Sequence, residues 1–102
     1  MNNEQIYLGK PQTAKLEVYT VPSGKKVTVT QMIFNNFLDT EQEVTITVNT
    51  IDVMTVTVKG KEDSRNTFIV LNPGDRLLLQ QKTEGAVNVT ISGVAQQVAM
   101  YQ

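Results

Sequence analysis

The 102-residue chain contains no cysteine, no histidine and no tryptophan. Without cysteine there are no disulfides and no thiolate metal sites, and the redox compartment leaves no mark on the sequence. Without histidine the commonest general base and the commonest zinc ligand are both missing. Ser23, Ser64 and Ser92 therefore have no imidazole to activate them, and none sits in a nucleophile-elbow sequence. Charge of one sign is lacking too: nine Lys and Arg face ten Asp and Glu, for a net charge of −1, and the only adjacent basic pair is Lys25-Lys26. Such a chain has no single-sign field to draw it to phosphate backbones or anionic lipid, so neither nucleic acid nor a membrane is an expected partner. No apolar run approaches the roughly 18 residues of a membrane helix, and the opening "MNNEQIYLGK" has no apolar core of a signal peptide.

Valine and threonine are abundant, together about a quarter of the chain, which is the β-branched bias of strands. Periodicity agrees. In "AKLEVYT" Ala14, Leu16, Val18 and Thr20 alternate with Lys15, Glu17 and Tyr19; in "EVTITVN" Val44, Ile46 and Val48 alternate with Thr45, Thr47 and Asn49; in "AVNVTIS" Val87, Val89 and Ile91 alternate with Asn88, Thr90 and Ser92. Period two means one buried and one wet face. Turn chemistry separates the segments: Pro22 and Gly24 in "VPSGKK", Pro73 and Gly74 in the central positions of a type II turn in "NPGD", and Gly85 in "KTEGA". Strands are predicted over 14–21, 25–35, 43–50, 52–59, 67–71, 75–82 and 86–94, with "KGKEDSRN" from Lys59 as a polar loop. The fold class is all-β, an antiparallel β-sandwich of jelly-roll or immunoglobulin-like type with about seven to eight strands. Residues 1–13 lack alternation and read as an N-terminal arm, 14–95 as the sandwich, and 96–102 as a C-terminal tail or edge strand.

Little here points to catalysis. Asp39, Glu41 and Glu43 in "LDTEQE" could offer oxygen ligands to calcium, but EF-hand spacing and its central glycine are absent, and a solvated loop explains them better. Glu17 and Asp52, the carboxylates within regular elements, are expected to face solvent rather than a cleft that would raise a pKa. No catalytic residue, metal or cofactor is expected. Among the aromatics, Phe34 and Phe68 read as core, while Tyr19 and Phe37 are the better surface candidates. Asn35-Asn36 reads as the end of a long strand, where asparagine caps the loop. Asn88-Val89-Thr90 is a formal glycosylation sequon, but it lies inside a strand.

The succession "LEVYTVPSGKKVTVTQMIFNN", "VTITV", "FIVLNPGDRLLLQ" and "AVNVTISGV" resembles a small β-sandwich that recurs among structural proteins of tailed bacteriophages. The shared features are the turn from Tyr19 to Gly24, the strand running into Asn35, the turn from Pro73 to Asp75, and the closing Ser92-Gly93; together they span about residues 14–95. The resemblance implies a virion component made in the host cytoplasm: a capsid decoration or head-fibre protein, or a tail-associated module, partnered by copies of itself and by a larger phage structural protein. In that family the sandwich often forms part of longer chains, whereas here it makes up nearly all of the sequence, which favours a small accessory protein.

Two functions are consistent with these features. The first is a non-enzymatic structural subunit that binds a larger assembly through its ends, with Ile6, Tyr7 and Leu8 in the arm and Val98, Met100 and Tyr101 in the tail as contacts; the alternative for these segments is that they fold back and cover the sandwich's own open edge. The second is a carbohydrate-binding, host-adhesion module with Tyr19 and Phe37 stacking on a glycan. Because no strong metal constellation is present, EDTA is expected to leave the melting temperature unchanged in a thermal scan; a large drop would point to calcium at Asp39, Glu41 and Glu43.

Overall fold

The computed structural model describes residues 2–98. Among them are eight strands and no helix: β1 (Asn2–Gly9), β2 (Leu16–Thr20), β3 (Lys25–Asn36), β4 (Gln42–Val48), β5 (Ile51–Val58), β6 (Glu62–Leu71), β7 (Arg76–Gln81) and β8 (Val87–Gln97). They form two antiparallel four-stranded sheets, ordered β1-β8-β3-β6 and β2-β7-β4-β5. Each strand of the first half pairs with its mirror in the second: β4 with β5, β3 with β6, β2 with β7, and β1 with β8. The chain is thus one long hairpin rolled up so that β3 meets β8 and β4 meets β7. That is the jelly roll, the first of the two sandwich types expected.

The core lies between the sheets, built from the inward phase of each strand. Val27, Val29, Met32 and Phe34 on β3, with Val87, Val89 and Ile91 on β8, face Val44 and Ile46 on β4, Val56 and Val58 on β5, and Leu77 and Leu79 on β7. On β3 the buried phase changes from odd to even residues between Val29 and Met32. The register explains it: Val29 faces Gly93 and Gln31 faces Ser92, which leaves Thr30 as a bulge. The same level is irregular in the flanking strands. On β1 Gln5 faces Ser92 and Tyr7 faces Ile91, with Ile6 between them; on β6 Thr67 and Phe68 share the level of Thr30. A line of bulges crosses the whole sheet at Gly93. A methyl group there would overlap the carbonyl oxygen of Thr28 and stand 2.9 Å from Ile6 Cδ1, so the close backbone approach requires glycine.

The bulge at Ile6 also corrects the predicted arm. Residues 2–9 are an integral edge strand, and the segment lacks alternation because the extra residue turns both Ile6 and Tyr7 toward the core. β8 likewise runs on to Gln97, past the expected limit of the sandwich at 95. β6 begins at Glu62, so most of the predicted polar loop is strand; its polar residues belong to an edge with one neighbour only. Phe68, expected in the core, is 81% exposed, because the bulge sets it on the outer face. Leu16, expected on a buried face, is exposed as well: Val18 is a bulge in the short edge strand β2, between Glu17 paired to Leu78 and Tyr19 paired to Leu77.

The turns are close to those expected. The Asp75 N–H donates to Asn72 O at 2.9 Å and Gly74 has φ 86°, as a type II turn needs. The β4–β5 turn is the residue pair Asn49-Thr50, where Asn49 takes φ 59°. Glu17 and Asp52 are exposed, as expected. Asp52 accepts hydrogen bonds from Lys15 Nζ and Thr47 Oγ1, both at 2.7 Å. Those bonds, Lys15 first, hold its carboxyl below the usual range.

Gly74 and Gly93 are glycine for different reasons, and substitution separates them. Gly74 has open space around it but a left-handed φ, so Gly74→Val is expected to cost about 1–3 kcal/mol in urea unfolding. Gly93→Ala should cost more than that, about 3 kcal/mol or above, because a backbone carbonyl has to move. A Gly93→Ala protein as stable as the parent would show that the bulge line is adjustable.

Candidate functional site

Rolling the ribbon gathers the connections at two ends. The β1–β2, β3–β4, β5–β6 and β7–β8 connections meet at one; β2–β3, β4–β5 and β6–β7 meet at the other, with Val98. Twelve-residue β3 sets the separation at about 40 Å. At the second end the ties are largely backbone bonds: Val21 N–H to Asp75 O at 2.9 Å, Gly74 N–H to Val21 O at 3.0 Å, and Val98 N–H to Gly24 O at 2.8 Å.

The first end is organised by two buried primary amides. Asn36, the last residue of β3, is 1% exposed. Its Nδ2 donates to Val58 O at 3.1 Å and Thr40 O at 2.9 Å, and its Oδ1 accepts from Leu38 N–H at 2.9 Å. Its own N–H reaches Lys61 O at 2.6 Å. Gln81, at the end of β7, places Nε2 on Pro11 O at 2.7 Å and Val87 O at 3.2 Å, while Oε1 accepts from Val87 N–H at 3.0 Å. Asn36 links the β3–β4 loop to β5 and its following connection, and Gln81 links the β1–β2 and β7–β8 connections. Burying an amide is favourable only when its bonds are made, so each side chain fixes the groups it touches.

The β3–β4 loop, residues 37–41, is consequently held from both sides. Thr40 takes Asn36 Nδ2 on its carbonyl and Gln42 Nε2 on its hydroxyl at 2.9 Å, and Phe37 N–H donates to Ala86 O at 2.8 Å. This fixed frame presents two apolar side chains to solvent: Phe37, 54% exposed, and Leu38, also exposed. Lys10 Nζ lies 5.6 Å from the centroid of the Phe37 ring, a cation–π contact that steers the ring. Leu8, near the end of β1, is 63% exposed at the same end of the sheet. Such an arrangement can anchor a partner surface at low entropic cost, because loop and ring are already ordered. Asp39 and Glu41 are exposed, Glu43 pairs with Lys82 at 3.0 Å, and no group of three or more metal-ligating side chains comes together among the described residues.

The structure divides the predicted contacts. Leu8 and Phe37 are exposed and belong to this end. Ile6 is buried in the core and so closed to a partner, while Tyr7 packs against the core and stays half-buried; the β1 bulge turns both inward. Tyr19 is half-buried, with its side chain against the core and its hydroxyl buried, which leaves Phe37 the more exposed of the two candidate glycan contacts. Burial raises the pKa of both phenols, and the Glu4 charge adds to the rise at Tyr19. Val98 is half-buried beside Gly24 at the opposite end, and Met100 and Tyr101 lie outside the described residues. Asn36 caps the loop, as its place at the end of the strand predicts; its hold on β5 is not legible in the sequence, nor is any role for Gln81. No protein-family model matches the chain, and no curated protein matches it either.

Asn36→Ala removes three side-chain bonds and strands a buried carbonyl at Val58. It is expected to destabilise the domain by about 2–4 kcal/mol in urea unfolding, while Phe37→Ala, a surface change, costs under about 1 kcal/mol. Equal effects of the two would mean that the buried amide does not hold the loop.

Proposed function

We propose that this protein is a non-enzymatic structural subunit of a phage particle, which attaches to a larger capsid or tail assembly through its loop end and associates with copies of itself. The observation that carries this is the rigid display of Phe37 and Leu38 above buried Asn36: exposed apolar side chains held in a fixed frame are what a docking hot spot needs. Two further features support it. The turns that resemble those of tailed-phage sandwiches lie at the ends of the strands, where they join one sheet to the other. The jelly roll is also an architecture used by viral capsid domains, which bears on the reading by analogy of fold. A balanced charge of −1 fits a partner recognised by shape and apolar contact rather than by steering.

The test is co-sedimentation with particles assembled without this protein. Wild type should saturate a fixed number of sites, and the Phe37→Ala/Leu38→Ala double variant, folded by circular dichroism, should bind at least about tenfold more weakly. Undiminished binding by the double variant would move the contact away from the loop end. No binding by wild type, with saturable binding to a polysaccharide that Phe37→Ala abolishes, would replace this proposal with the carbohydrate-binding one.

A further inference from the structure

Phe68 is the most exposed large apolar side chain among the described residues. It stands on β6, the outer strand of its sheet, and β5 is the outer strand of the other sheet. The connection of residues 59–61 joins these two strands, so they form one flank of the sandwich. Toward the second end of that flank β6 exposes Phe68 and Val70, and β5, in the other sheet, exposes Ile51 and Val53. The Thr67 hydroxyl donates to Val29 O at 2.8 Å, which turns Thr67 into its own sheet and leaves Phe68 facing out. Beside it, Phe68 and Val70 line a shallow groove with Lys26, Thr28, Thr30 and Val94.

The charges along β6 are unevenly placed. Lys59, Lys61, Glu62, Asp63 and Arg65 crowd its beginning, and no charge falls from Asn66 to Asn72. Charges on an edge strand deter pairing, so the first half of β6 is guarded and the second half is open.

We propose that this open half pairs antiparallel with the same strand of a second copy, about a two-fold axis at Ile69. The proposal deepens the self-association in the functional reading above and is independent of what the loop end binds. A second copy fits because an antiparallel strand edge is self-complementary under a two-fold axis. The charge pattern selects the register. Centred on Ile69, Phe68 faces Val70 of the second copy on the outer face, an aromatic and β-branched pair, and every charged residue lies beyond the paired segment. Full overlap of the ten-residue strands would instead set Asp63 against Val70 and Arg65 against Phe68. Phe68 and Val70 supply apolar contact on the outer face, and the unpaired strand edge beside them supplies main-chain hydrogen bonds across the two-fold axis. The sheet that contains β6 then continues from one copy to the next.

Sedimentation velocity on the isolated chain tests this without any particle, so a failure of attachment through Phe37 and Leu38 would leave the result intact. Wild type should sediment as a dimer, and Phe68→Lys/Val70→Lys should halve the mass to the 11.3 kDa of one chain with an unchanged circular dichroism spectrum. Since the chain has no cysteine, crosslinking reads the register directly. A mixture of Phe68→Cys and Val70→Cys proteins should give far more disulfide dimer on mild oxidation than either alone, and Leu8→Cys should give none. A monomeric wild type, a dimer that survives the double lysine variant, or a mixture that crosslinks no better than its components would each overturn the proposal.

Discussion

The approach of Gly93 to the carbonyl of Thr28 governs the geometry of the first sheet. With no side chain at 93, β3 and β8 come close enough for Thr30 to bulge, and the bulge lets one twelve-residue strand direct Val27 and Val29, then Met32 and Phe34, into the same core. Two shorter strands would need another connection. The bulge line continues into β1 and β6, where it carries Ile6 inward and Phe68 outward. A single absent methyl group thus sets both what is buried at one edge of the sheet and what is displayed at the other.

The two ends of the roll are closed by different means. At one, Asn36 and Gln81 replace missing strand ladders with buried amide bonds, which are costly to leave unmade and so hold the loops firmly. At the other, turn geometry at Gly74 and Asn49 closes the chain with backbone bonds, joined by exposed side-chain bonds of Asn49 and Asp75. The end with the buried amides is the one that displays Phe37 and Leu38. Order in the loop comes from below, which leaves its outward side chains free of any structural duty.

Much of the fold was legible in the sequence where strands keep a strict period. β4, β7 and β8 stand within a few residues of their expected places, because alternating Val, Ile and Leu mark a single buried face, and each half of β3 keeps the period on its own side of the Thr30 bulge. Period failed at the bulges. Ile6 and Tyr7 both turn inward, so β1 looked like an arm; Phe68, Ile69 and Val70 are all apolar, so nothing local said which of them faces out. Polar edge strands failed for a second reason: "EDSR" at the start of β6 has little to bury, since the strand has one neighbour. The site was legible in Phe37, in Leu8 and in the loop cap at Asn36, and no further. The partners of Asn36 and Gln81 lie as far as 22 and 70 residues away, and an amide at the end of a strand carries no trace of such distant bonds.

The nested pairing of the strands also bears on how the chain finds this structure. Contacts between β1 and β8 join the two extremes of the sequence, and such contacts taken alone are slow to form because the intervening chain must first be closed. Nesting removes most of that burden. The β4–β5 hairpin closes across Asn49-Thr50; once it exists, β3 and β6 emerge side by side, and their pairing leaves β2 and β7 adjacent in turn. Each closure then spans only the connections that the previous one left open. A topology of high contact order can be traversed as a series of short steps, from the middle of the sequence toward its two extremes.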